Sequence, residues 1–325
     1  MGTSLKTALK TILPIAFGIF LVWYWYTSTA EEEREQIFYY IKQADLFWVA
    51  ASMLLGILGH ISRAIRWNYL LQPLGYAPKV SNNVFIILMA YLTNLGIPRT
   101  GEILRATALT TYENVPFERG IGTIITERVI DVIMLFLIIL TTLFLQTDII
   151  LGFFEDVGIP LTKIFVLIGS GILMLVAFLI FVRRSSHNIA IKIKSFVKGL
   201  LDGLLSIFKM ERKWAFLGHT LFIWACYIAM LWVIKYTVPE TLGLSLSELM
   251  VAFVAGALAM MFTNGGIGLY PIAVSQALAI FGISKVSGDA FGWIMWIAQT
   301  LMVVIFGAIS FLVLPLLNRN RRDSA

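Results

Sequence analysis

Stretches of about twenty apolar residues recur along this chain, each long enough to cross the ~30 Å hydrocarbon core of a bilayer. In lipid every backbone N–H and C=O must be paired within the segment, so a spanning stretch of this kind folds as a helix. Such runs lie near 8–26, 45–62, 119–145, 162–182, 214–236 and 291–316. Three further apolar stretches, 82–97, 248–263 and 267–283, are short or broken by Gly and Pro. They read as re-entrant or broken helices. Charged residues make up 14% of the chain, against roughly 25% in a soluble domain. The expected fold is therefore an all-α polytopic membrane protein, with residues 1–325 forming one transmembrane domain. The first run follows Lys6 and Lys10 and leads into Glu31, Glu32 and Glu33 without a clear small-residue cleavage site. It reads as a retained signal anchor.

Loop charge sets the expected orientation. Residues 183–213 carry eight Lys or Arg against Asp202 and Glu211, and the tail carries Arg319, Arg321 and Arg322. Both belong in the cytoplasm by the positive-inside rule. Segments 27–44, 146–162 and 237–249 are acidic or lack basic residues and belong outside. Six crossings with both termini cytoplasmic, in the inner (plasma) membrane, satisfy every loop. The basic balance is thus accounted for by orientation, and nucleic acid is not an expected partner. Within 187–209, apolar residues from Ile189 to Phe208 recur at helical spacing, and Lys192, Lys194, Lys198 and Lys209 lie off that stripe. This is the pattern of an amphipathic helix on the cytoplasmic surface. Lys235 is expected to snorkel at a helix end.

The chain also repeats itself. Thr-Asn-Leu-Gly-Ile at 93–97 matches Thr-Asn-Gly-Gly-Ile at 263–267 at an offset of 170, and the same offset carries 119–145 onto 289–315. Two halves result, about 1–145 and 160–317, with matching element order. The loop charges give the halves opposite orientations. Inverted repeats with broken helices in matching positions mark transporters whose substrate site lies between the halves.

Ionisable residues inside spanning segments are costly and face protein interiors or wet cavities. Here His60, Arg63 and Arg66 follow one another at spacings of three, as do Arg99, Glu102 and Arg105. Glu127, Arg128 and Asp131 lie inside the helix expected at 119–145, where Arg128 can reach Asp131. Five arginines against three carboxylates leave a net charge of +2 with His60 neutral. Arginine forks suit phosphate, and neighbouring carboxylates hold the forks in place. Pro98 and Gly101 mark a helix start that adds backbone donors. Arg63 and Arg66 also suit simple anchoring at the cytoplasmic rim, and the 127–131 triad also suits an ion-pair lock between helices. The second break carries Asn264, Gly265, Gly266, Gly268 and Pro271. Its glycines permit left-handed turns and close backbone approach, or close helix packing. Neither metal-ligand spacing nor a nucleophile–base pair is present, and the single Cys226 excludes an intramolecular disulfide. No cofactor is expected.

The run Pro98-Arg99-Thr100-Gly101-Glu102 with Arg105, the preceding Asn94, the Glu127-Arg128-Asp131 triad and the loop Gly265-Gly266-Ile267-Gly268 resemble the lysylphosphatidylglycerol synthase transmembrane-region family, whose members are also described as flippase-like. The resemblance covers nearly the whole chain. It implies a two-half helical domain with re-entrant segments that moves a lipid between leaflets. It also implies that a separate cytoplasmic synthase domain is missing, since the chain stops at Ala325 just after its last crossing. Pro271 stands where the family usually has an acidic residue, and Asn264 where Pro is usual. These departures bear on recognition of a cationic aminoacyl head group, not on lipid movement. The expected function is that of a lipid translocase, not an enzyme, with an anionic membrane lipid as its partner. Arg63, Arg66, Asn94, Arg99, Glu102, Arg105, Glu127, Arg128, Asp131, Asn264, Gly265, Gly266 and Gly268 are its candidate substrate-binding residues. A membrane-embedded enzyme acting on a lipid phosphate, with Glu127 or Asp131 as base, and a structural or regulatory membrane partner are the alternatives. Self-association is left open.

Overall fold

The computed structural model describes residues 2–98, 100–149 and 210–319, with scattered positions between 150 and 209. Ten α-helices frame what is described: α1 (Gly2–Ser28), α2 (Glu31–Gln43), α3 (Leu46–Leu71), α4 (Val80–Gly96), α5 (Gly101–Glu113), α6 (Phe117–Leu145), α7 (Lys213–Ile234), α8 (Leu246–Phe262), α9 (Leu269–Ala279) and α10 (Lys285–Leu317). No strand occurs among the described residues, so the protein is an all-α polytopic membrane protein. The stretches Leu46–Leu74, Phe117–Leu145, Lys213–Thr237 and Lys285–Leu317 are each long and apolar enough to span a bilayer. The α1–α2 pair, bent by 117°, makes a fifth if counted as one span. The crossing expected at 162–182 and the amphipathic helix expected at 187–209 lie outside the described residues.

Local chemistry explains most helix ends. The Asp45 side chain caps α3 by accepting from the N–H of Phe47. Ser245 and Glu248 form a reciprocal capping box at the start of α8, which satisfies two donors that the first turn leaves open. Between α4 and α5, Pro98 forces its predecessor Ile97 into extended backbone (φ −130°, ψ 113°), as the ring of a following proline does. Between α8 and α9 the chain takes positive φ at Gly265, Gly266 and Gly268, which suits residues without a Cβ. So the short apolar stretches are three separate short helices, α4, α8 and α9, as their Gly and Pro content predicts.

One helix runs beyond its expected end. The second crossing, placed at 45–62, continues to Leu71. His60, Arg63 and Arg66 therefore lie within a helix, not past its rim, and Arg66 is fully buried. Lys235 does not snorkel. Its Nζ turns inward to donate to the Leu244 carbonyl at 2.8 Å and lies 3.8 Å from the centroid of the Trp232 ring.

Helix starts fall at 46, 80, 101 and 117 in the first half and at 213, 246, 269 and 285 in the second, a shift of 166 to 168 residues. The order long, short, short, long thus occurs twice. The shared pentapeptide is slightly out of step with it: Thr93 lies inside α4, whereas Thr263 caps the end of α8.

The described residues form two compact units, Met1–Ile125 with Trp214–Ala325, and Thr126–Lys213. Elements of both halves meet in the first unit, where α10 packs on α2, α3, α4 and α9. Glycines permit this. A Cβ on Gly292 would lie 2.7 Å from the Pro271 carbonyl oxygen, one on Gly288 2.8 Å from Ser275 Oγ, and one on Gly307 2.6 Å from Leu92 Cβ. In membranes such small-residue faces replace the hydrophobic drive that soluble helices rely on.

Candidate functional site

Helices α3 and α7 face each other along a polar seam. Ser62 Oγ lies 2.8 Å from His219 Nδ1, and Arg66 Nη1 donates to Thr220 Oγ1 at 3.2 Å. Arg63 Nη2 lies 3.4 Å from the Tyr227 hydroxyl. Gly59 approaches Cys226 and Tyr227, and Gly56 approaches Met230. Numbers fall on α3 as they rise on α7, so the two helices run antiparallel. Arg63 and Arg66 are 3% and 0% exposed, which removes the reading of rim anchors reaching for water. The seam holds their guanidinium groups against the hydroxyls of Tyr227 and Thr220, which position them through charge-assisted hydrogen bonds.

Three further helices meet this seam. Arg105 of α5 is buried, its guanidinium 4.2 Å from the centroid of the Trp67 ring. Trp67 Nε1 in turn donates to Thr123 Oγ1 of α6 at 2.9 Å. His60, one turn before Arg63, packs against Tyr91 of α4 with ring centroids 4.4 Å apart and planes tilted by 38°. Glu102 sits in the first turn of α5, one turn before Arg105. Asn94 braces the break before α5, its Oδ1 accepting from the Gly101 N–H at 2.7 Å. Arg99 lies outside the described residues.

The two breaks meet. Asn264 Nδ2 donates to the Leu95 carbonyl at the end of α4, 2.6 Å away. Trp296 of α10 donates to the Gly265 carbonyl at 2.9 Å. A Cβ on Gly265 would lie 2.6 Å from Leu95 Cδ2, one on Gly266 2.6 Å from Met260 Sδ, and one on Gly268 2.7 Å from the Gly18 carbonyl oxygen. Asn264, Gly265, Gly266 and Gly268 thus seat this loop among α1, α4, α8 and α10.

In the other unit, α6 carries Glu127, Arg128 and Asp131. Glu127 is fully buried. Arg128 Nη1 lies 3.8 Å from Asp131 Oδ2, the pairing expected from their spacing, and the Arg128 side chain keeps 41% of its surface exposed.

Three polar groupings were not foreseen. The first is the α7 side of the seam, Thr220, Trp224 and Tyr227, whose partners only tertiary pairing reveals. The second is Asp289, 3% exposed, which accepts from Trp25 Nε1 at 2.8 Å and lies 3.5 Å from Lys285. Lys285 also reaches Glu33 at 3.0 Å. An acid inside an apolar run is a signal in itself, but a crossing drawn from 291 leaves Asp289 outside. The third joins Asn82 to Asn318 and Glu113, linking α4, α5 and the end of α10. Among the described residues no group of three His, Cys, Asp or Glu side chains is placed to hold a metal ion.

Comparison with known proteins agrees with this picture. The UPF0104 membrane protein MJ1595 of Methanocaldococcus jannaschii is 27% identical over 138 residues, covering 41% of this chain and 38% of that protein. Glycosyltransferase AglD of Haloferax volcanii is 31% identical over 91 residues, covering 28% of this chain and 15% of that protein. The chain therefore spans well under half the length of the curated relatives it matches. No solved structure matches. The model of the lysylphosphatidylglycerol synthase TM region matches residues 11–307, and the chain belongs to that family.

Proposed function

We infer that the protein moves a lipid with an anionic phosphate head group between the leaflets of the inner membrane. The observation that carries this reading is the buried pair Arg63 and Arg66, held in the last third of α3 against the hydroxyls of Tyr227 and Thr220 on an antiparallel helix. A guanidinium fork fits the geometry of a phosphate, and burial fixes where the two forks stand. Arg105, buried on α5, extends the same positive character toward the α4–α5 break. Asn94, Asn264, Gly265, Gly266 and Gly268 shape the path by fixing the two breaks. Glu102, in the first turn of α5, adds a carboxylate one turn before Arg105. The repeated helix order and the antiparallel run of α3 and α7 support two halves of opposite orientation with both termini cytoplasmic. Reporter fusions near Glu33 and Glu240 should then read external and a fusion at Gly199 cytoplasmic; an external Gly199 would overturn that topology.

The direct experiment reconstitutes the protein in vesicles with labelled lipids. A panel of phospholipids and isoprenoid phosphates is offered, and protein-dependent movement between leaflets is timed. Movement of at least one phosphate lipid is expected; none across the panel refutes the reading. The stretch shared with a protein named as a glycosyltransferase supports a second reading, an enzyme acting on a lipid phosphate with Glu127 or Asp131 as base. It requires a new lipid product in extracts of an overexpressing strain, whereas transport alters only the leaflet distribution.

A further inference from the structure

Away from the α3–α7 seam, the first turns of α10 carry a second buried polar group inside an aromatic wall. Asp289 is 3% exposed, and an ionisable residue buried in a spanning helix points to a site by default. Its Oδ2 accepts from Trp25 Nε1 at 2.8 Å and lies 3.5 Å from Lys285 Nζ. Its Oδ1 takes part in neither contact. One turn further along the same face of α10 stands Trp293, 8% exposed, whose buried Nε1 has no hydrogen-bond partner. An indole N–H can only donate, and buried donors left unmet are rare enough in folded proteins to call for an explanation. Trp25 is the common neighbour. Its N–H meets Asp289, and its ring centroid lies 5.2 Å from that of Trp293. Trp296, 5.6 Å from Trp293, and Phe38 of α2, 6.5 Å from Trp25, complete the wall. Phe38 is 42% exposed and the Lys285 side chain 45%, so the group reaches the surface beside α2.

A carboxylate oxygen only accepts and an indole N–H only donates, whereas a hydroxyl does both. A phosphodiester offers acceptors alone and meets Asp289 as a like charge. An ammonium offers donors alone, and Lys285 already stands at that carboxylate, with Glu33 3.0 Å away on its other contact. A second ammonium would meet the first at close range. A neutral hydroxyl meets neither repulsion, and indoles suit a ligand that is apolar on its C–H faces and polar at its edges. We propose that Asp289 and Trp293, with the rings around them, form a binding site for neighbouring hydroxyls of a polyol, one donating to the Asp289 carboxylate and one accepting from Trp293 Nε1. The site borders the second break. Trp296 donates to the Gly265 carbonyl at 2.9 Å, and α1 meets the same loop where Gly18 faces Ile267. That the polyol is the head group of a moved lipid rests on the translocase reading; that the site takes hydroxyls does not.

The experiment measures binding, apart from movement. Full-length protein is held in an amine-oxide detergent, because the sugar of a maltoside is itself a polyol. It is titrated with phosphatidylinositol, phosphatidylethanol, phosphatidylethanolamine and free myo-inositol, and bound ligand is counted by native mass spectrometry. The first two lipids share one phosphodiester charge and differ in their hydroxyls, so the ratio of their affinities isolates this site from any phosphate contact elsewhere. The wild type should favour phosphatidylinositol about tenfold, which is about 1.4 kcal/mol, and should bind phosphatidylethanolamine no better than phosphatidylethanol. Trp293→Phe keeps an aromatic ring and removes the donor. Asp289→Asn keeps the shape and an acceptor for Trp25 but gives up the charge-assisted contact. Each should bring the ratio close to one. A purely structural role would lower the melting temperature and weaken all three lipids alike, leaving the ratio as it was. Should one variant fail to purify, the other decides. A wild-type ratio near one, tightest binding of phosphatidylethanolamine, or an unchanged ratio in either folded variant overturns the site. Binding of myo-inositol as tight as that of phosphatidylinositol upholds the site and makes its occupant a soluble polyol. A ratio lost in the variants while the wild type moves no lipid leaves the site standing and removes the translocase reading alone.

Discussion

Asn264→Ala tests whether the contact between the two breaks holds the fold together. The Asn264 side chain is buried, and its Nδ2 reaches the Leu95 carbonyl at 2.6 Å. That carbonyl lies in the last turn of α4, where the Thr93 carbonyl is used by Ile97 and the chain then turns extended before Pro98. The final carbonyls of a helix lack partners within it, so Asn264 supplies a donor that the helix cannot. Removing it loses a net hydrogen bond and leaves a buried acceptor unmet, about 1–3 kcal/mol together. Asn264→Asp is the sharper variant. A carboxylate has no donor for Leu95 and adds a buried charge, so it should destabilise at least as much as alanine does. Trp296→Phe removes the second tie on the same loop, Nε1 to the Gly265 carbonyl. Because both bonds hold one segment, their losses should not add, and a coupling of roughly 0.5 kcal/mol or more is expected in the double variant. Thermal denaturation of purified protein followed by size exclusion ranks the stabilities as wild type, Asn264→Ala, Asn264→Asp. Wild-type melting in Asn264→Asp, or strict additivity with Trp296→Phe, refutes the reasoning.

Gly268→Ala should be among the most damaging small changes, because φ there is +72° and the new Cβ would meet the Gly18 carbonyl oxygen at 2.7 Å; with ψ at −44° the backbone lies outside even the left-handed helical region that other residues sometimes visit. Gly243→Ala, with nothing within 4 Å, is its control, and detergent-extracted yield and melting temperature should fall only for the former. Glu240 accepts from both the N–H and the hydroxyl of Ser284 at the start of α10. Hydrogen bonding from the Ser284 side chain first, and from the Ser287 side chain next, holds its carboxyl below the ordinary 4.5. The stability it adds over Glu240→Gln is therefore complete above about pH 4.5 and disappears as the pH falls through the lower folded value; an advantage that grows on acidification would refute the assignment. Arg128→Lys keeps the charge but loses the planar fork. On the translocase reading it should leave membrane levels normal and slow transport at least roughly tenfold, and full transport by a well-folded variant removes two-point phosphate recognition at that position.

The helices were legible because their causes are local. A spanning run needs only length and apolar side chains, so 119–145, 214–236 and 291–316 fall within a few residues of α6 and α7 and inside α10. The breaks are local too: Pro98 ends α4 through the residue before it, and three glycines with positive φ carry the chain from α8 to α9. The end of α3 was misjudged for an instructive reason. An apolar window closes at Arg63, yet Ala64, Trp67, Leu70 and Leu71 continue the buried face for two more turns. Hydropathy registers the arginine and misses the periodicity that goes on past it. Asp289 was lost in the same way from the other side, since α10 begins at Lys285, before the apolar run does.

What the sequence could not supply was the partner of each charge. Spacing put His60, Arg63 and Arg66 on one face of a helix, and that much holds in the structure. Spacing does not say whether such a face meets water, lipid or protein. The burial of Arg66 rules out water, and an arginine fork turned to lipid would lack hydrogen bonds. The face therefore has to be covered by donors and acceptors from elsewhere. Thr220 and Tyr227 do this from positions seven apart on α7, two turns of one helical face, and Trp224 lies between them. None of those three is charged, so none stands out in an apolar run, and each acquires meaning only from the antiparallel register that sets it against α3. Hydroxyls on a facing helix fix where a buried guanidinium points, so they set the geometry of the fork without appearing as charges in the sequence. The uncharged polar residues of α7 are therefore where substitutions should separate binding from folding most cleanly.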